Sequence, residues 1–265
     1  MNVALKLGLI GMLALFSQNS SVSAQTGPET SSAAAPFTLH GGVEHSEKLP
    51  PVEKQFRHGA RIDASVMQST TLNNRWYRLP EWAAGTWTSV KSTKTYMRDL
   101  ESGREQTTPL TKSTKMEFSW GFQQDKTGRV WEFAKEPYSL TVDTSDKRVI
   151  KRVLKRDFRV SEDDAKITLK TITENVVVDK FNNVVVRTVQ SENIQSCAPS
   201  PNSCMTCNAS YKLFDERGKA IELGNEVNIS RKLSDFKSID QYEGKNMPNL
   251  FREFLTEQGK ADLLN

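Results

Sequence analysis

The chain has 265 residues, with 36 Lys+Arg against 32 Asp+Glu, three Cys and 37% hydrophobic residues. This length allows one large domain or two small ones. A net charge of +4 among 26% charged residues lacks the one-sided basic excess of a nucleic-acid binder, and no apolar run of about 18 residues is present to span a bilayer as a helix.

Residues 1–24 read as a secretory signal peptide. Lys6 gives a positive start, residues 7–16 (LGLIGMLALF) an apolar centre, and Val22 and Ala24 the small residues of a cleavage site. An uncleaved anchor is the alternative. Export to the periplasm or the extracellular space places the chain in an oxidising setting. Residues 25–70 read as a flexible tail, rich in Gly, Pro and Ser, with a short helix over residues 53–68 that Gly59 weakens. His40, His45 and His58 fall nearby. The spacing of five between the first two suits neither a helix face nor alternate strand positions, and no Cys or Glu cluster joins them, so no metal is expected.

Residues 71–265 form the expected globular domain, and residues 76–236 read as antiparallel β. Strand patterns cover residues 85–100, 116–122, 129–133, 138–142, 166–179, 183–194, 211–214 and 226–236, separated by turns such as Asp125-Lys126-Thr127-Gly128. In the second of these, Met116, Phe118, Trp120 and Phe122 alternate with small or polar residues and are expected on one face. There is no room between strands for the helical crossovers of a parallel sheet, so an all-β barrel or sandwich is expected. The stretch from Lys147 to Arg159 (KRVIKRVLKRDFR) is ambiguous. As a strand, it sets Ile150, Leu154, Phe158 and Val160 on one face with Arg152 and Arg156. As a helix, it is basic and amphipathic and suits an anionic membrane surface. The β-rich neighbours favour the strand. Pro248, Leu250, Phe251, Phe254 and Leu255, with Gly259 as C-cap, predict a terminal helix. Charges on both faces of the strands argue against an outer-membrane barrel.

Residues 76–87 (WYRLPEWAAGTW) resemble the opening of lipocalin-like barrels, in which a short helical turn precedes a Gly-x-Trp motif, here Gly85 and Trp87. Motif, strand number and terminal helix together extend the resemblance in outline over residues 76–258. It implies an all-β, antiparallel barrel of eight to ten strands with a C-terminal α-helix. It also implies a floor Trp covered by a cation from the last strand, Arg231 or Lys232. The family binds small apolar molecules, and an eight-stranded barrel leaves room for one. Met116, Phe118, Trp120, Phe122, Trp131 and Phe133 would wall such a site, or would simply fill the core.

Cys197, Cys204 and Cys207 fall in one loop. One disulfide is expected, with Cys197–Cys204, Cys197–Cys207 and Cys204–Cys207 all open and the odd thiol left over. Asn208 and Asn228 head glycosylation sequons, which matter only in a eukaryotic secretory pathway. No nucleophile elbow, phosphate loop, dinucleotide fingerprint or zinc-protease helix is present. No His follows His58, so Ser–His chemistry requires the tail to fold back onto the domain. The expectation is a non-enzymatic binding protein holding a lipid-like ligand without a cofactor. The alternative is an envelope protein with a filled barrel. Its partners are an envelope protein or an anionic membrane met through Lys147 to Arg159, and not nucleic acid.

Overall fold

The computed structural model describes residues 44–62 and 73–264. The signal peptide, His40 and residues 63–72 lie outside the described residues. The described chain is mostly β, with one helix. Its strands are β1 (Asn73–Leu79), β2 (Gly85–Asp99), β3 (Glu105–Gln106), β4 (Leu110–Ser113), β5 (Glu117–Trp120), β6 (Gln123–Gln124), β7 (Val130–Glu136) and β8 (Tyr138–Asp143). They continue with β9 (Lys147–Val160), β10 (Ile167–Asp179), β11 (Val185–Ser200), β12 (Cys204–Phe214), β13 (Ala220–Ser234), β14 (Gln241–Tyr242) and β15 (Lys245–Asn246), before helix α1 (Met247–Glu257).

The main sheet runs β3-β2-β13-β12-β11-β10-β9-β8, with β4 and β5 also paired to β2. Every pairing is antiparallel. No sheet among the described residues closes on itself by hydrogen bonds, since β8 and β3 remain opposite ends of the order. A second sheet, β1-β7-β6, packs across the first.

The strand reading of Lys147 to Arg159 holds, but with a bulge that sequence alternation does not reveal. Ile172 pairs with Lys155 and Thr173 with Val153, so Leu154 is the extra residue. Side chains change face across a one-residue bulge. Ile150 and Arg152 therefore face outward, whereas Arg156, Phe158 and Val160 face inward, toward β1 and β7. Phe158 packs against Tyr77 of β1, with ring centres 5.4 Å apart and the planes tilted by 45°. The apolar pairs that look helical belong to a strand buried on both faces.

The inner face carries the main core: Trp87, Trp120, Phe158, Ile167, Leu169, Met205 and the Cys197–Cys207 disulfide, against Leu79 and Val130 of the second sheet. The two cysteines are directly opposite in the β11–β12 register. Cys204 is free and half-buried at the hairpin end.

The outer face is covered by residues 44–62. This segment lies within the expected flexible tail, yet it packs against the sheet. Val52 and Phe56 insert among Ile150, Val176, Val178 and Val185. The helix expected over residues 53–68 is a single 3-10 turn, Lys54–Phe56, within its described part. Phe56 also stacks under the Arg152 guanidinium at 3.8 Å. Leu49, Val52 and Phe56, all buried, and the cation–π contact work against the entropy of ordering this strap.

Helix α1 covers the outside of the second sheet. Met247, Phe251 and Leu255 pack on Trp76, Phe122, Trp131 and Phe133. Asn246 caps its N-terminus by accepting from Asn249 N at 2.9 Å.

Candidate functional site

The Gly-x-Trp motif does structural work at one end of the inner face. Gly85 has φ +127°, and a Cβ there would lie 2.4 Å from the Ser234 carbonyl oxygen. Only glycine lets the end of β13 come so close. Trp87 donates from Nε1 to the Ala83 carbonyl at 2.8 Å. The cation over its ring is Lys232, with Nζ at 5.7 Å. Arg231 is exposed instead. Neighbours along a strand point to opposite faces, and the register pairs Lys232, not Arg231, with Trp87.

The expected aromatic wall is divided. Phe118 and Trp120 belong to the inner core, while Phe122, Trp131 and Phe133 lie on the far side of the second sheet beneath α1. Gly121, at φ +100°, separates the two sets by breaking the alternation after Trp120. Met116 is half-buried ahead of β5, and its carbonyl accepts from Ser89 N at 2.8 Å. These residues do not line one cavity. A half-open cleft of about 360 Å³ lies elsewhere, on the outer face, bordered by Ile62, Arg148, Ile150 and Asn183.

What the inner face does gather is charge. Beyond the core, β7 contributes Glu132 and Glu136, β8 contributes Tyr138, and β9 contributes Lys151 and Arg156. Glu132, Glu136, Lys151 and Arg156 are all at least nine-tenths buried. Arg156 Nη2 donates to Tyr138 Oη at 2.6 Å. Gly121 N donates to Glu132 Oε2 at 2.7 Å. The second oxygen of each carboxyl, Glu132 Oε1 and Glu136 Oε1, has no hydrogen-bond partner among the described residues.

Burial dominates the titration of this cluster. It pushes the Glu132 carboxyl up to about 7, against the opposing pull of the Gly121 amide and the Arg156 guanidinium. It raises Glu136 and Tyr138, with Arg156 opposing in both cases. Lys151 falls to about 8 through burial and then through repulsion from Arg156. Around neutral pH the cluster therefore exchanges protons, and it presents both carboxyl acceptors and a fixed guanidinium.

The sequence hides this cluster. In Val130-Trp131-Glu132-Phe133-Ala134-Lys135-Glu136 the aromatic residues read as the buried face and the glutamates as the wet one. Both faces are covered, the aromatic one by α1 and the acidic one by the main sheet. Other expected features fall as follows. Asp164, in the turn between β9 and β10, accepts a forked pair of hydrogen bonds from Arg78, and its carbonyl accepts from Trp82 Nε1 at 2.7 Å. The sequon residue Asn208 is exposed and Asn228 is buried. No metal-binding group of His, Cys, Asp or Glu and no helix long and apolar enough to cross a membrane occurs among the described residues. Comparison with known proteins finds no matching family model, no matching curated protein and no matching solved structure.

Proposed function

We propose that this chain is an exported binding protein that uses the inner face of its main sheet, with the second sheet as the opposite wall, as a lipocalin-like barrel. Its ligand is small, with an apolar body lying along the Phe118–Trp120–Phe158 side and a hydrogen-bond-donating or cationic head at Glu132 and Glu136. The observation that carries this reading is the pair of buried carboxyl oxygens, Glu132 Oε1 and Glu136 Oε1, that have no hydrogen-bond partner among the described residues, beside Arg156 and Tyr138. A buried acceptor left unpaired costs about 1–3 kcal/mol, and a donor on a ligand would recover it. The ligand differs from a purely lipid-like one because Glu132, Glu136, Lys151 and Arg156 are buried on the same inner face. Export rests on the first 24 residues, and the buried disulfide is compatible with it.

Native mass spectrometry of the purified protein, before and after organic extraction, tests this. The expected result is a non-covalent adduct that extraction removes and that is absent from Glu132→Ala. A single unliganded mass that extraction does not change would overturn the reading. It would favour instead an envelope protein with a filled interior, a role that the nearly complete burial of Trp87, Trp120 and Met205 also fits.

A further inference from the structure

The strap over the outer face brings the chain's described histidines back to the sheet, and one of them lands in a specific geometry. His45 Nδ1 lies 2.8 Å from Glu192 Oε2. His45 Nε2 lies 2.9 Å from Ser210 Oγ. A carboxylate and a hydroxyl from the neighbouring strands β11 and β12 thus flank an imidazole from the distant strap, at the separations of a nucleophile, its base and the group that orients the base.

The surroundings fix the protonation of each member. Glu192 is fully buried and is held by Lys170 Nζ, Ser46 N and Ser46 Oγ, each at 2.8 Å, as well as by His45. These donors outweigh its burial and keep the carboxyl down at about 2. An ionised Glu192 can only accept, so His45 Nδ1 carries the shared hydrogen. The neutral ring then accepts through Nε2 from the Ser210 hydroxyl. Burial lowers the His45 pKa, with Lys212 and Lys170 adding to that and Glu192 opposing. The imidazole is therefore free to take a proton at neutral pH.

Ser210 is half-exposed in the middle of β12. Asn225 stands directly opposite it on β13, and exposed Asn208 lies two residues before it, so all three share the outer face. Their amides are donors suited to an oxyanion, and Lys212, two residues after Ser210, lies on the same face.

We infer that Ser210, His45 and Glu192 form a nucleophilic triad that cleaves small carboxylic esters on the outer face. Ser210 Oγ attacks the ester carbonyl carbon as its proton passes to His45 Nε2. The carbonyl–alkoxy bond breaks, and the alcohol leaves with the proton from His45. Water then attacks the acyl-serine and gives a proton to His45, and the acid departs as Ser210 regains its hydrogen. Ser210 and His45 are the catalytic residues, and Glu192 is a positioning residue. The site is independent of the inner-face ligand.

The test uses the full chain with a fluorophosphonate probe and p-nitrophenyl acetate. The expected result is one phosphonate adduct mapped to Ser210, absent in Ser210→Ala. In His45→Asn, labelling and ester turnover fall by about 100-fold or more, the scale of a lost general base. Asn places an amide donor near the position of Nδ1, so the strap keeps its bond to Glu192, and limited proteolysis checks that residues 44–62 stay docked. Turnover of the wild type should rise with pH through one ionisation below 6.5. No adduct at Ser210 in the folded wild type, or equal labelling of wild type and a docked His45→Asn, would overturn the triad and leave these bonds as a latch for the strap.

Discussion

Glu132→Gln isolates what burial does on the inner face. The folded protein holds the Glu132 proton up to about pH 7, whereas an unfolded glutamate releases it near 4.5. Each pKa unit corresponds to about 1.4 kcal/mol, so the ionised side chain opposes folding by on the order of 3 kcal/mol. Because the raised pKa belongs to an acid, its favourable contribution is complete below pH 4.5 and is lost as pH rises through 7. Lys151 acts in the opposite sense over a higher window. Its pKa is depressed to about 8 from 10.5, so stability is regained as pH rises from 8 toward 10.5. Together they give the wild type a stability minimum between about pH 7 and 8. Gln cannot ionise, and its amide oxygen still accepts from Gly121 N. Urea unfolding of both proteins from pH 4 to 9, with the disulfide intact, should show the variant gaining on the wild type by about 3 kcal/mol between pH 4.5 and 8. Below pH 4.5 Glu132 is protonated in the folded and the unfolded chain alike, so the difference has no slope there. A wild-type minus variant difference that stays flat from pH 4.5 to 8 would refute burial as the governing influence.

Four other variants probe the framework. Gly85→Ala should lose more than about 2 kcal/mol in chemical denaturation, because the added Cβ meets the Ser234 carbonyl at a left-handed φ. Replacing Cys197 and Cys207 together by Ser should lower stability by about 2–3 kcal/mol, the scale for closing a loop of ten residues, whereas Cys204→Ser should change it by less than about 0.5 kcal/mol. Phe251→Ala should lose about 3–5 kcal/mol. Its tryptophan emission should also shift to the red, since Trp76 and Trp131, at 4.9 and 5.9 Å from the Phe251 ring, are then wetted.

The fold class was legible because it rests on alternation, the most direct signal in a strand. Ile167, Leu169, Thr171 and Thr173 alternate in burial as well as in sequence, and the hairpins around them follow. The terminal helix was legible from Pro248 and the spacing of Phe251 and Leu255. Three local events escaped. The bulge at Leu154 has no composition of its own, so Arg156 was set on the same face as Ile150. Gly121 looked like a small residue within a strand, when its backbone conformation ends one. Residues 44–62 looked like linker because their anchors are few, yet Val52 and Phe56 fill a groove that exists only once β9, β10 and β11 have paired.

The same double coverage explains why charge was the hardest property to place. In a one-sided sheet a polar residue between apolar ones faces water, and that rule sends Glu132, Glu136, Glu192 and the cations of β9 to the surface. Here the strap and the second sheet cover the two faces in turn, so the alternate positions are interior as well. Lys147 pairs with Asp179 at 3.2 Å and Arg148 with Asp143 at 2.9 Å, while Arg152 bonds Glu174, Arg156 bonds Tyr138 and Lys151 is buried. Of the cations that suggested an anionic membrane, Lys155 and Arg159 are exposed, and Arg159 is 3.2 Å from Asp157. Two charges of β9 thus act within the fold, Arg152 holding the strap on the outer face and Arg156 setting the polarity of the inner face.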